Sequence, residues 1–573
     1  MLHLVTNGQP NYRIILPEKA DATLAHAARE LARYIGRMSG AAMPMADSAS
    51  PAVDREICLG HTGRAGETGC EGLKNDGYRI STSAERIFIQ GDGSRGVLYG
   101  VYGFLEECLG CRFFAEGAEH IPQRATIDLP PVSLTRISPL EYRETLWNCM
   151  RGGDIAVKRG FNGQNHEIGA HQGGNIRYFG FVHTFGRYVD PDEYFDEHPE
   201  YFSMVNGKRI REQTQLCLTN PEVLAIVVEK LRRNIQEHPE AKIFSISQND
   251  CYNPCTCPEC ARVDAEEGSH AGTLIRFVNA VAEAIAKDYP DVLIDTLAYQ
   301  YTRTAPKLTR PAPNVCVRIC TIECCFSHPL EACDALCYRF VDLVDKDSSL
   351  QQDFLAWSRI CDRIFVWDYT TDFRHYLCPF PNFASLAPNM RFFVHNGVTG
   401  LFEQGNGESV SGEFGELRAY LISRLMWNLE ADVDKEMDEF LTGYYGRAAG
   451  PIRAYIDMIQ QKVARDQIHV TIYDNPTQGH LPDELLERAV ALWDEAEALA
   501  DNEQFLWRVQ KSRMQVRYTQ IHRMPLDAPD RDKVIDDFIA DLDRFGITHI
   551  REHNRKEQDY GDLRAGTMDA RGW

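Results

Sequence analysis

Between residues 11 and 130 the spacing of apolar positions changes several times. YRIILP, REICLG, GYRISTS and ERIFIQG alternate apolar with polar residues, as half-buried strands do. In KADATLAHAARELARYIGRMSG and RGVLYGVYGFLEECLG the apolar residues return at three and four, the spacing of one helix face. Residues 1–135 therefore read as a small N-terminal α/β domain. From 136 to 412 short strand candidates alternate with polar or helical stretches: YRETLWNC (142–149), GFNGQNHEI (160–168), YFGFVHTF (178–185), KIFSISQND (242–250), VLIDTLAYQ (292–300), NVCVRICTIEC (314–324), RIFVWDYT (363–370) and VTGLFEQG (398–405). Helical passages such as PEVLAIVVEKLRRNIQEHP and AGTLIRFVNAVAEAIAKDYP lie between them. Eight such pieces predict a TIM (β/α)8 barrel, a fold that usually takes about 250 residues. Residues 413–573 lack convincing strands and carry amphipathic helical segments, so a helical C-terminal domain is expected.

Composition narrows the set of partners. The chain has 573 residues and a formal charge of −22, from 83 acidic against 61 basic side chains. With no Lys/Arg block to track phosphates, nucleic acid is excluded as a partner, and an anionic membrane equally. No stretch approaches 18 apolar residues, and the N-terminal sequence lacks a basic leader with an apolar run, so a soluble, cytoplasmic protein is expected. The 18 cysteines are spread through apparent core strands, which favours buried thiols over disulfides. The helical appendage offers a surface for a homodimer.

In a barrel of this type the chemistry stands at the C-terminal strand ends. Four carboxylates end late strands: Asp250, Glu323, Asp368 and Glu403. Glycosidic cleavage needs one protonated carboxyl to donate to the leaving oxygen and a second carboxylate to activate water or attack carbon. Asp250, after the alternating IFSIS, is the leading acid; a loop-capping role is the alternative. Asp368 and Glu323 are the candidates for base or nucleophile, and Glu403 for binding a hydroxyl. Trp147, Trp367, Tyr369, Tyr299, His166, His183, Asn249 and His328 complete a carbohydrate-binding set. Trp367 and Tyr369 flank Asp368 and are expected to point opposite ways, so that at least one packs in the core. Arg143, Arg151 and Arg177 are candidates for gripping an acidic sugar, with ordinary ion pairing as the other reading.

The run CYNPCTCPEC places Cys251, Cys255, Cys257 and Cys260 close enough for one tetrahedral ion, with His270 as a spare donor. A structural zinc, a disulfide and packed thiols are the three readings. No HExxH, GxSxG or phosphate-loop lysine motif appears, and no cofactor is expected for the chemistry.

Several longer stretches carry a resemblance: DGYRI with GDGSRGVLYGVYGFLEECLGCRFF, HTFGRYVDPDEYFDEHPEYFSMVNGKR, QLCLTNPEV, SISQNDCYNPCTCPEC, FVNAVAEAIAKDYPDVLIDTLAYQYT and LRAYLISRLMWN. Over roughly residues 10–460 the chain resembles the bacterial family called domain of unknown function 4838, which is similar to alpha-glucuronidases of glycoside hydrolase family 67. The resemblance implies an α/β domain like those before hexosaminidase and alpha-glucuronidase barrels, then a catalytic barrel and a helical region. It also implies a general acid after the fourth strand, where Asp250 stands in place of Glu, with later carboxylates such as Glu323 or Asp368 as base. The Asp-Glu pair of hexosaminidases is not matched by Asn249-Asp250. A glycoside hydrolase acting on a carbohydrate, with uronic or N-acetylated sugars in view, is the expected function. A non-catalytic carbohydrate-binding barrel and a zinc-dependent hydrolase are the alternatives.

Overall fold

The computed structural model describes residues 1–333 and 349–569. In the N-terminal domain a six-stranded sheet runs in the order Ser133–Arg136, Tyr78–Ser83, Arg86–Gly91, Glu56–Leu59, Arg13–Leu16, Met45–Asp47. Two helices cover it, Ala22–Ser39 and Gly93–Gly103. The first starts where Asp21 accepts from the amide of Leu24 at 2.8 Å and stops at Gly40, whose φ of 77° closes the last turn. Such an N-cap contributes about 1 kcal/mol.

The central domain is a curled, all-parallel sheet of seven strands: β1 (Tyr142–Thr145), β2 (Arg177–Phe179), β3 (Ala241–Ser245), β4 (Leu293–Ala298), β5 (Val315–Cys320), β6 (Ile364–Tyr369) and β7 (Val398–Gln404). Their order, β1-β7-β6-β5-β4-β3-β2, is that of a TIM-type barrel with one seam between β1 and β2. The expected strand at 160–168 does not form. Residues in that stretch still fill the seam: the amides of Asn162 and Gly163 donate to the Arg143 carbonyl, Ile176 donates to the Asn162 carbonyl, and Gln164 Oε1 accepts from the Tyr178 amide. Gly160, at φ +72° and with the Trp427 indole where a Cβ would sit, turns the chain in a way a strand residue cannot.

Period-two alternation sorts the strand residues between two faces. Tyr142, Tyr178, Ile243, Cys316 and Phe365 point into the barrel, where Tyr142 and Phe365 stack at 5.6 Å. One level higher, Arg318 pairs with Asp295 at 2.8 Å and lies against the rings of Tyr178, Phe181 and Trp367. Residues of the other parity face the surrounding helices, among them Pro221–Glu237, His270–Ala286, Leu350–Ser358, Phe383–His395 and Gly415–Trp427.

Arg143, on that outer face, is fully buried and forms an ion pair with Asp76 of the N-terminal domain at 2.5 Å. It locks the two domains together, and removing one partner of such a buried pair costs about 3–5 kcal/mol. The C-terminal region is built of helices from Val433–Tyr445 to Lys556–Ala565, joined by irregular segments at 467–482 and 546–555. A second core of Met514, Tyr518, Ile535, Phe538 and Leu542 includes Leu377 from the barrel's sixth loop, so this region is packed onto the barrel. Among the described residues no helix is long and apolar enough to cross a membrane.

Candidate active site

Asp250 stands five residues beyond the end of β3, on a loop held by Gln215. The Gln215 amide donates to the Asn249 and Cys251 carbonyls at 2.8 Å and accepts from the Asn249 amide at 2.8 Å. The Asp250 side chain is 62% exposed and lies 3.9 Å from His183 Nε2. The hydroxyl of Tyr299, just past β4, donates to Asp250 Oδ1 at 3.1 Å. Burial and the carboxylate together raise the Tyr299 phenol well above its usual range, so it stays a donor. Burial lowers His183 in spite of Asp250, and its Nδ1 is tied to the Gln248 carbonyl at 2.8 Å.

A second acid reaches this mouth from the C-terminal region. The amide of Glu552 donates to the Phe373 carbonyl at 2.9 Å, and that of Tyr376 to the Ile550 carbonyl at 2.9 Å, which brings residues 550–552 over the strand ends. Glu552 Oε1 accepts from Gln404, the last residue of β7, at 3.4 Å, and Gln404 in turn accepts from Trp367 Nε1 at 2.7 Å. Burial pushes the Glu552 carboxyl up to about 7; the positive field of His553 opposes this, while Glu408 and Asp250 reinforce it. Tyr473, from another C-terminal segment, feels Glu552 and Asp250 together. Asp250 and Glu552 are thus two interacting carboxyls at one mouth, one solvated and one largely buried. Sequence reasoning missed Glu552 because nothing around it marks a strand end.

The other expected residues divide between mouth and core. Glu323 is buried behind the mouth, its oxygens without hydrogen-bond partners and 4.0 Å from Arg303 at nearest. Burial raises it to about 7, and the Tyr252 phenol, raised chiefly by burial, also feels the charges of Glu323 and Asp250. Trp367 and Tyr369 are on one face, 6.2 Å apart, because residues two apart in a strand share a side; the expectation that they oppose each other is wrong.

That same parity turns Asp368 outward. It stands in register with Glu403 across β6 and β7, and both side chains face the helices, away from the barrel interior. Thr321 donates to Asp368 at 2.5 Å, burial raises Asp368 to about 6, and burial with the neighbouring Asp368 raises Glu403 further. Asp368 as base and Glu403 as a sugar ligand are therefore not supported by the geometry.

Trp147 is buried, donates to Thr370 at 3.0 Å and packs where Gly405 and Gly415 leave no room for a Cβ, so it is a core residue and no sugar platform. His166 is buried on Phe161, its Nδ1 at 2.7 Å from the Met150 carbonyl, and burial drops it to about 4. Asn249 spends its amide within the protein, donating to the Thr214 carbonyl and accepting from Gly186. Arg151 pairs with Glu167 on the surface, and Arg177 opens β2 at the opposite end of the barrel.

The cysteine cluster is real but differently composed. Cys217, Cys255, Cys257 and Cys260 bring their sulfurs within 4.8 Å of one another. Cys251 is not among them; its sulfur accepts from Gln215 instead. Cys217 lies 3.7 Å from Cys257 and 3.9 Å from Cys260. Four sulfurs about 2.3 Å from a tetrahedral zinc stand about 3.8 Å apart, so the spacing fits. Arg209 and the Met204 amide donate to Cys255, each at 3.4 Å, as outer partners of a thiolate do. His270 is engaged by Asp264 at 2.7 Å.

The central domain is thus a TIM-type barrel behind a small α/β domain, with Asp250 and Glu552 gathered at its C-terminal mouth. The chain belongs to the family described as Domain of unknown function (DUF4838), whose model matches residues 113–457. Residues 5–104 match the model of the glycosyl hydrolase family 67 N-terminus. Among solved structures the chain is similar to a family GH115 4-O-methyl-alpha-glucuronidase with specificity for decorated arabinogalactans, at 11% identity and a TM-score of 0.57, covering 95% of this chain and 77% of that one. A chitobiase of Flavobacterium johnsoniae aligns at 11% identity with a TM-score of 0.46, covering 93% of each chain. No curated protein matches significantly.

Proposed function

We propose that this protein is a glycoside hydrolase in which Glu552 is the general acid and Asp250 the base or nucleophile. The observation that carries this reading is the unequal environment of two interacting carboxyls. Glu552, raised to about 7 by burial, holds a proton near neutrality, whereas Asp250 is largely solvated and receives a hydrogen bond from Tyr299. This reverses the role that position alone gave Asp250. The glycosidase-like fold and the family 67 N-terminal match support the reaction class.

The substrate is a carbohydrate without a carboxylate at the cleaved residue. Arg143, Arg151 and Arg177 are held elsewhere, and beside the protonated Glu552 the mouth carries the carboxylates of Asp250 and Glu408, a field that repels an anionic sugar. Zinc takes no part in this chemistry. A zinc ion held by Cys217, Cys255, Cys257 and Cys260 would stiffen the loop that carries Asp250.

A panel of aryl glycosides and oligosaccharides tests the reading. D250N and E552Q are each expected to lower kcat by about 10²–10⁴-fold on the substrate that the parent cleaves. Unchanged turnover in both variants rejects the assignment, and preferential cleavage of uronosides rejects the substrate class.

A further inference from the structure

A second group of metal-type donors lies beside the mouth, away from the cysteines after β3. Cys325 and His328 follow β5 by a few residues, Cys333 comes next, and His469 arrives from the C-terminal region just before Tyr473. One donor atom from each falls within 4.8 Å of all the others. Cys325 Sγ is 3.2 Å from His328 Nδ1, and Cys333 Sγ is 3.5 Å from His469 Nδ1. In a tetrahedral zinc site with bonds of about 2.3 Å to sulfur and about 2.0–2.1 Å to nitrogen, a sulfur and a nitrogen ligand stand about 3.5 Å apart. The two imidazoles meet edge to face at 5.1 Å, so each presents a ring nitrogen to the same small volume.

We propose that Cys325, His328, Cys333 and His469 bind a divalent zinc-type ion that fastens the loop after β5 to the C-terminal region. Two thiolates and two imidazoles are the donor set that a borderline-soft ion prefers, and four protein ligands leave no open position, so the role is structural. The ion sits where the two segments already meet: the Phe326 amide donates to the Val470 carbonyl at 2.9 Å, and Ser327 Oγ donates to the Ile468 carbonyl at 2.7 Å. One segment carries Glu323 and the other carries Tyr473. The ion thus ties a barrel loop to a C-terminal wall of the mouth, just as the Cys217 cluster ties down the loop of Asp250.

Metal content of the full chain, expressed with supplemented zinc and measured by plasma mass spectrometry, tests this. The parent is expected to hold about two zinc ions per chain, and C325S/H469A about one. C257S/C260S is expected to lose the other ion and keep this one. His469 is exposed, so H469A alone is expected to fold, and H469C, which restores a ligand, to recover the lost ion. Loaded with cobalt instead, C257S/C260S is expected to show tetrahedral bands with thiolate charge transfer, abolished by adding H469A. Zinc content unchanged in both H469A and C325S/H469A overturns the proposal. So does a Cys325–Cys333 disulfide found by non-reducing peptide mapping of zinc-saturated protein.

Discussion

Replacing Glu552 by glutamine separates the chemistry of this carboxyl from its burial. In the folded protein the carboxyl is raised from 4.5 to about 7. The folded state therefore holds the proton more tightly than the unfolded chain does. Its contribution to stability is complete below about pH 4.5, fades as pH rises towards 7, and is gone above that. A shift of this size corresponds to about 3 kcal/mol, an upper value because 17% of the side chain still meets solvent. Glutamine stays neutral and escapes this loss. E552Q is expected to melt with the parent at pH 4 and a few degrees above it at pH 8. At pH 6 about nine in ten parent molecules carry the Glu552 proton, against about one in thirty for an unperturbed glutamate. The parent's kcat/KM is thus expected to fall as pH rises through about 7, a limb absent from the residual activity of E552Q. Thermal melting across pH 4–9 beside a pH–rate profile makes the check. Parallel melting curves at every pH, or an alkaline limb that persists in the variant, refute the reasoning.

Three other outcomes follow from the same geometry. Y299F removes the hydroxyl donor to Asp250 and is expected to lower kcat by about tenfold with little change in melting, a loss of about 1.4 kcal/mol for one hydrogen bond to a charged group; unchanged kcat refutes the contact's role. E403Q replaces a buried carboxyl, raised by burial and Asp368, with a neutral isostere; it is expected to keep parental kcat, and a hundredfold loss without lowered stability would return Asp368 and Glu403 to the mouth. C217S is expected to release the zinc of the first cluster and C251S to retain it, as zinc release to a colorimetric chelator will report.

The strands and helices were largely legible in the chain because alternation at two and return at three or four are local signals. The stretch at 160–168 misled because its alternation is broken by Gly160 and Gly163, and it fills the seam through loop hydrogen bonds that no periodicity encodes. The position of Asp250 at the mouth was legible from its place after an apolar strand. Asp368 was equally visible as a strand-end acid, but its register opposite Glu403 puts both on the outer face, a matter of parity that position alone does not settle. Trp147 and His166 carry the residue types of a sugar site and are absorbed by packing. Glu552, Tyr473 and Cys217 join their clusters through tertiary contacts between distant segments, for which a single sequence holds no local mark.

The passage of residues 550–552 over the strand ends also bears on the order of assembly. Every stave of the barrel leaves the ribosome well before the segment that holds Glu552, so the growing chain can close its parallel sheet with one wall of the mouth still missing. On the proposed reading, the acid then joins the mouth only when the C-terminal region docks, after every stave is in place.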